Sequence, residues 1–512
     1  MTDAGDIGSR DDALLAASGR RLFDFQKVGV AALMARRRFL LADDMGTGKT
    51  MQVLVALGPA SGARALVVTT KSGRVVWAAE AALCRPDLRV RTDESAWTAA
   101  WPEQGELRVV SYERLPRLHA DGCEGLLPAK PCTGCAEKLV SVGSSVVVVR
   151  AGHLESCDGL SKGRRRPCPG CHPMLAACPE NVTLVLDEAH RAKNRNSLRT
   201  RRCAALSRAA RRRPGGGCWL LSGTPMENDP LELWTVLEVA GLANECFGSL
   251  ANVFRLFDAK PRMFGRTRRG WVWGQPLPEV RERLARVMLR RRKIDVLPQL
   301  PPKMWRTLTV EIDRETIARC DAYLRAAGGI KNVVAMMLAK DKVGFEDMAE
   351  VRVALATAKI PAIVDYLDDL QDAHEPIVVF SVHRAPVEFL GTRPGWATLH
   401  GGTPEAERRS NVERFQRGEL RGIALTMQAG GESITLTRAS QVLIVDPPYK
   451  PSMLDQAVDR VYRIGQTRGV LVTSLDADHP LDRRVNAILR DKRERNAATL
   501  DPPPERTSLA LH

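Results

Sequence analysis

Short, continuously apolar runs alternate with stretches of helical spacing along the chain: "RALVVTT" (64–70), "VTLVLDEAH" (182–190), "CWLLSGT" (218–224), "PIVVFS" (376–381), "GIALTM" (422–427) and "QVLIVD" (441–446). Runs of this length, rich in Val, Ile and Leu, suit strands covered on both faces, as in a parallel sheet flanked by helices. The pattern predicts an α/β protein. The runs fall into two groups, before about residue 225 and after about residue 375, which predicts two separate parallel sheets. Between them, residues 246–350 carry amphipathic helical patterns such as "LPEVRERLARVMLRRRK" (277–293) and read as a helical insertion. A basic, aromatic stretch there, "RMFGRTRRGWVWG" (262–274), either stacks on bases or forms a hairpin that buries Trp271 or Trp273. The end "DPPPERTSLALH" (501–512) reads as a disordered tail.

A length of 512 residues favours two to four domains over one core. The formal net charge of +16 is concentrated in arginine runs at Arg36 to Arg38, Arg164 to Arg166, Arg211 to Arg213 and Arg290 to Arg292. Such a surface attracts polyanions, nucleic acid first among them, although each run alone could equally be a solvated helix face. No apolar stretch approaches the roughly 20 residues that span a bilayer. The start "MTDAGDIGSRDDALLAASGR" is polar and acidic, unlike a secretory leader. A soluble, intracellular protein is expected, cytoplasmic and free to associate with the nucleoid.

The chemistry is concentrated in three places. In "DDMGTGKT" (43–50), Gly46 and Gly48 allow backbone N–H groups to turn in around a phosphate at the positive end of a helix. Lys49 would then reach the terminal phosphates and Thr50 would bind magnesium. The first glycine of the full phosphate-loop pattern is missing, since Asp43 stands there, and a glycine-rich turn capping a helix is the plainer alternative. Asp187 and Glu188 end an apolar strand, where open α/β sheets bind ligands; they could hold the magnesium and activate water, or only cap the next helix. Arg460 and Arg463, three apart on an expected helix, could point together at a γ-phosphate, although such a pair alone is usually a surface feature.

Taken together, these residues resemble the Swi/Snf-type branch of the superfamily-two helicases. The match runs from about residue 20 to 475 through "LFDFQKVGV", "LVVTTKSGRVVWAAE", "VVSYERL", "LLSGTPMEN", "LRRRKIDVLPQLPPK", "LHGGTPEAERRSNVERFQRG", "TMQAGGESITLTRASQVLIVDPPY" and "DQAVDRVYRIGQ". The resemblance implies two tandem RecA-like lobes and nucleic-acid-stimulated ATP hydrolysis that drives translocation on duplex DNA. By the same resemblance Gln26 contacts adenine, and Gly46, Thr47, Gly48, Lys49, Thr50 and Asp187 hold the nucleotide and Mg²⁺. The turn at Lys71 and Ser72 would touch the nucleic-acid backbone, and Trp77 and Glu80 match packing positions. His190, Ser222, Thr224, Gly430, Gly431 and Gln456 would couple hydrolysis to lobe movement. Departures from the family pattern are Glu432, Ser433 and Thr435 beside the second-lobe glycines, and Asp44 and Thr47 in the phosphate loop; the latter two are expected to matter little. The implied layout is an N-terminal segment (1–20), lobe 1 (21–245), the insertion between lobes (246–350), lobe 2 (351–480) and a tail (481–512).

Seven of the twelve cysteines lie between Cys123 and Cys178, inside an insert in lobe 1 placed at 121–180. "CTGC" (Cys132, Cys135) and "CPGC" (Cys168, Cys171) each present two thiolates to one tetrahedral Zn²⁺, and in a reducing compartment clustering of this kind reads as metal ligation. The 32 residues from 136 to 167 exceed the usual spacing of the zinc ribbon that the arrangement looks like, and "KLVSVGSSVVVVR" (138–150) reads as a hairpin. Cys123, Cys157 and Cys178, with His153 or His172, either form a second site or are free thiols. The expected function is ATP-driven movement on duplex DNA that remodels it in replication, repair or recombination. A strand-separating DNA or RNA helicase and a non-catalytic, zinc-containing nucleic-acid scaffold are the alternatives.

Overall fold

The computed structural model describes residues 18–92, 100–116, 137–142, 145–150, 177–264, 268–326, 328–330, 342–372, 375–430 and 434–501, with Leu15, Leu175 and Val333. In chain order the strands are β1 (Arg38–Leu41), β2 (Arg64–Thr69), β3 (Arg89–Thr92), β4 (Glu106–Ser111), β5 (Glu137–Val142), β6 (Ser145–Arg150), β7 (Thr183–Asp187), β8 (Gly217–Leu221) and β9 (Lys260–Phe264). They continue as β10 (Arg268–Val272), β11 (Met288–Leu289), β12 (Lys303–Val310), β13 (Ile377–Ser381), β14 (Trp396–Leu399), β15 (Gly422–Thr426), β16 (Gln441–Ile444) and β17 (Val470–Ala477). A seven-stranded sheet has the order β11-β1-β8-β7-β2-β4-β3 and a six-stranded sheet the order β12-β17-β16-β13-β15-β14, with every neighbour parallel.

The apolar runs are explained by burial on both faces. In β2, Leu66 and Val68 enter one core of the first lobe while Ala65 and Val67 enter the other. In β13, Val378 and Phe380 are split in the same way from Ile377 and Val379. Side chains alternate across a strand, so a strand covered twice has no face left for polar residues. Because all strands in a sheet run the same way, the phosphate loop after β1, the carboxylates ending β7 and Ser222 after β8 emerge at one edge of the first sheet.

The segment 246–350 holds more strand than a helical insertion with one hairpin at 262–274. β9 and β10 form an antiparallel hairpin, β11 completes the first sheet, and β12 forms the edge of the second. β11 has two residues and β12 is exposed along most of its length, so neither leaves an apolar run to read. Trp271 remains 43% exposed and Trp273 is partly buried, both against the ring of Phe254 at 4.5 and 5.4 Å.

The described part of the segment assigned as a tail, 481–512, is helical. Residues Pro480–Leu500 form a helix whose Leu481, Val485, Ile488 and Leu489 pack in a second-lobe core, while Leu500 joins the core of the first. The helix therefore ties the lobes together, and Lys492 donates to Asn228 in the first lobe at 3.0 Å and to the Tyr449 carbonyl in the second at 3.0 Å.

Within the Cys-rich insert, β5 and β6 pair as the expected hairpin. Cys123, Cys132, Cys135, Cys157, Cys168, Cys171, His153 and His172 lie outside the described residues. Cys178 is described, and it is a core residue: it is 2% exposed among the first-lobe apolar side chains, and burial pushes its thiol up to about 12. A thiol held protonated in an apolar core is a poor metal ligand. Among the described residues no cluster of three or more His, Cys, Asp or Glu could hold a metal, and no helix is long and apolar enough to cross a membrane.

A candidate nucleotide site between the lobes

The phosphate loop is formed by two glycines in the left-handed region, Gly46 at φ 74° and Gly48 at φ 78°. At Gly48 the requirement is also steric, since a Cβ there would lie 2.4 Å from the Gln26 side-chain nitrogen. That nitrogen donates to the Thr47 carbonyl at 2.9 Å, and the Gln26 oxygen accepts from the Phe23 amide at 2.9 Å. Gln26 thus braces the loop and is 1% exposed while lining the cavity. Lys49 opens the helix Lys49–Ala56 and donates to the Asp43 and Asp44 carbonyls at 2.7 and 2.9 Å. The Thr47 hydroxyl donates to the Asp44 carbonyl at 2.8 Å.

At the end of β7, each Asp187 oxygen accepts at least one hydrogen bond. Oδ2 accepts from the Thr69 hydroxyl at 2.8 Å and the Trp77 indole N–H at 2.9 Å, Oδ1 from the Glu188 amide at 3.0 Å, and the carbonyl from Tyr112 at 2.7 Å. Burial and the neighbouring Glu188 push the Asp187 carboxyl above the usual range, opposed by the Trp77 and Thr69 hydrogen bonds and by Lys49. Glu188 has φ 53°, an uncommon backbone for a side chain of this size, and its Oε2 is buried without a hydrogen bond. His190 Nδ1 lies 3.3 Å from that oxygen and 3.1 Å from Ser222 Oγ, which in turn accepts from the Thr224 amide at 3.2 Å. Burial, then Lys193 and Arg191, lowers His190 to about 3, so its ring is neutral at physiological pH.

The second lobe contributes Gln456, Arg460 and Arg463. All three line the same cavity of about 600 Å³ as Gly46, Gly48, Lys49, Thr50, Asp187, Glu188 and His190. The two arginines do not sit on a helix. The helix Pro451–Val458 ends before them, and they lie in the turn that follows. Gln466 shapes this turn: its buried amide nitrogen donates to the carbonyls of Thr437, Ala439 and Val461, and its oxygen accepts from the Thr467 and Arg468 amides. Arg463 donates to Thr435 Oγ1 at 2.9 Å.

Other expected residues lie elsewhere. Ser222 and Thr224 stand behind the cavity wall, reached through His190. Gly430 ends the short helix Met427–Gly430 after β15, and Gly431 lies outside the described residues. Glu80 does not only pack; it lines the cavity and pairs with Arg20 at 2.6 Å. The Asp44 carboxylate binds Arg290 at 2.8 Å and the Lys293 amide at 2.8 Å.

The geometry is one phosphate-type loop with a lysine, two adjacent carboxylates and an arginine pair from a second lobe, facing one cavity. A family model described as the SNF2-related domain matches residues 25–324, and one described as the helicase conserved C-terminal domain matches residues 358–465. The chain belongs to the SNF2-related family. The SNF2-related chain is 26% identical over 501 residues to the mouse "DNA annealing helicase and endonuclease ZRANB3", covering 94% of this chain and 41% of that protein. It is 27% identical over 495 residues to the Xenopus tropicalis "SWI/SNF-related matrix-associated actin-dependent regulator of chromatin subfamily A-like protein 1", covering 93% and 44%. It is 24% identical over 543 residues to the rice "DNA excision repair protein CSB", covering 93% and 42%. The chain spans about two fifths of the length of these relatives. Among solved structures, the "Sulfolobus solfataricus SWI2/SNF2 ATPase core in complex with dsDNA" aligns over 93% of this chain and 92% of that chain, at 19% identity and a TM-score of 0.38.

Three features of the SNF2-related site escaped the sequence reading. The sequence suggests packing for Trp77 and no role for Thr69 or Tyr112, yet all three fix Asp187 from more than 70 residues away. Gln466 carries no signal in the sequence beyond its place in the motif "DQAVDRVYRIGQ". The run at Arg290 has the pattern of a surface charge cluster, whereas the Arg290 and Arg291 side chains are each 13% exposed and bound to the loop acids. The one signal in the sequence is the indole N–H of Trp77 itself, a donor that needs an acceptor when the ring is buried.

Proposed function

We propose that this chain is a DNA-dependent ATPase that uses hydrolysis to move along duplex DNA and remodel it. The observation that carries this reading is the single cavity that Lys49, Thr50, Asp187 and Glu188 of one lobe share with Gln456, Arg460 and Arg463 of the other. Hydrolysis then depends on lobe closure, and repeated closure is what converts it into displacement. DNA as the track is supported by the names of the relatives, a DNA annealing helicase and a DNA excision repair protein, and a polyanionic track by the net charge of +16.

In this mechanism Lys49 leaves the Asp43 and Asp44 carbonyls for the β- and γ-phosphates of ATP. Thr50 and Asp187 form an oxygen donor set suited to Mg²⁺, which supplies charge neutralisation at the phosphates. The free Glu188 Oε2 takes the proton from the attacking water. Neutral His190 carries the position of Glu188 to Ser222 and Thr224. Arg460 and Arg463 stabilise the charge that develops on the transferred phosphoryl group. Gln26 reads adenine once the Phe23 and Thr47 contacts relax.

Trp77→Phe keeps a ring in place and removes one N–H donor to a carboxylate, a bond of about 1.5–3 kcal/mol. Its expected effect is a drop in turnover of about 10- to 100-fold together with a raised magnesium requirement, read by titrating Mg²⁺ at saturating ATP. Wild-type Mg²⁺ dependence in that variant would show that the indole does not orient Asp187.

The lobes are proposed to cover residues 21–297 and 303–500, with the Cys-rich insert at 121–180 in the first; β11 and β12 support these limits. Cys132, Cys135, Cys168 and Cys171 are proposed to hold one Zn²⁺, on the spacing of the two C-x-x-C pairs. Purified protein should contain about one equivalent of zinc, and less than half an equivalent by elemental analysis would remove this part. Movement on duplex DNA is tested by displacement of a triplex-forming strand beside a forked duplex. Triplex loss without fork opening is expected. Fork opening instead would make the protein a strand-separating helicase.

A further inference from the structure

The segment from Arg290 to Lys293 lies between β11 and the short helix Lys293–Val296, where the chain crosses from one lobe to the other. Each of its inward cations has a different destination. Arg290 binds Asp44 at 2.8 Å and Asp501 at 3.0 Å, and donates to the Ala42 and Gly223 carbonyls at 2.8 Å each. Arg291 pairs with Asp43, bonds Gln52 at 3.0 Å and lies over the Phe25 ring. Lys293 does two things at once. Its amide donates to Asp44 Oδ2 at 2.8 Å, at the base of the phosphate loop. Its ammonium binds Asp459 at 2.8 Å and the Tyr462 carbonyl at 2.9 Å, in the turn that carries Arg460 and Arg463.

The side chain is 5% exposed, and its nitrogen passes 3.7 Å from where a Cβ on Gly46 would be, as does Cβ of Arg463. Loop, lysine and arginine turn are thus in direct succession. We propose that Lys293 is a positioning residue for Arg460 and Arg463, holding their turn through Asp459 and Tyr462 while holding the phosphate loop through Asp44. The inference rests on the ATP-site reading of the cavity. With this link, displacement of the loop by a bound phosphate is carried to the arginines without passing through either core. A buried ion pair is a weak source of stability relative to an apolar pair of similar volume, so its contribution here is geometric. Misplacement of a reacting group by about 1 Å can cost about 10²-fold in rate.

The test uses the full chain with Lys293→Met, Asp459→Asn and the double variant Lys293→Met/Asp459→Leu, in which an apolar pair replaces the charged one. Three quantities are read: melting temperature, affinity for a fluorescent ADP analogue, and single-turnover ATP hydrolysis at saturating ATP with duplex DNA. In the single variants, nucleotide affinity within about threefold of wild type and hydrolysis slower by roughly 10- to 100-fold are expected. The double variant should regain melting temperature without regaining rate. Hydrolysis within twofold of wild type in Lys293→Met, or recovery of rate and stability together in the double variant, would overturn the inference. A parallel loss of affinity and rate would do so too, by placing Lys293 in nucleotide binding. Wild-type protein that binds no nucleotide would overturn the ATP-site reading itself, which the same affinity measurement distinguishes.

Discussion

Arg460→Ala and Arg463→Ala are each expected to reduce DNA-stimulated ATP hydrolysis by about 10³-fold or more, the lower end of what an arginine opposite a transferred phosphoryl group contributes. The reason is positional. Both line the cavity from the second lobe, so their charge reaches the phosphates only when the lobes close, and it counts in the transition state more than in the bound ground state. Nucleotide affinity should therefore change little while turnover collapses. Lysine at either position should rescue poorly, because an ammonium cannot reproduce the planar fork of a guanidinium. The measurement is kcat and KM for ATP beside equilibrium binding of a nucleotide analogue. An alanine variant of both residues that retains a tenth of wild-type turnover would remove the second lobe from the chemistry.

Lys49→Ala should act differently. Its ammonium sits on the Asp43 and Asp44 carbonyls at the mouth of the phosphate loop, the position from which it can turn to the β- and γ-phosphates. Removing it takes away a full positive charge in both the ground and transition states, so affinity and turnover should fall together, turnover by about 10²- to 10³-fold or more. Isothermal titration with Mg-ATP and a DNA-stimulated ATPase assay report the two losses separately. Lys49→Ala protein that still turns over at the wild-type rate would show that the loop is a helix cap and nothing more. The contrast with the arginine variants is itself informative: lysine in the resident cradle sets binding and rate, arginine from the moving lobe sets rate alone.

Much of this architecture was legible because it is local. A strand buried on both faces must be continuously apolar, and β2, β7, β8, β13, β15 and β16 announce themselves in that way. The phosphate loop is written in two glycines whose backbone few other residues adopt. What was misread lacks a local signature. β12 lies exposed at a sheet edge, where polar residues are tolerated. The helix Pro480–Leu500 carries charged side chains at nine of its 21 positions, and only Leu481, Val485, Ile488 and Leu489, at i, i+4, i+7 and i+8, betray the face that packs. The spacing of the arginine pair predicts a helix. The buried Gln466 amide, bound to carbonyls up to 29 residues away, stabilises a turn instead.

The sequence by itself determined the two sheets, the loop, the paired carboxylates and the identity of the arginines, because periodicity and backbone permissiveness act over a few residues. Only the tertiary structure decided which charges are solvated and which are buried. The run at Arg290 reads like any surface cluster until Asp43, Asp44, Asp459 and Asp501 are brought to it from distant parts of the chain. Trp77 likewise reads as packing until β7 sets Asp187 against its N–H, 110 residues on. A charge or a polar hydrogen takes its role from its partner, and partners separated by that much chain meet only when the sheet registers and the lobe contacts are in place.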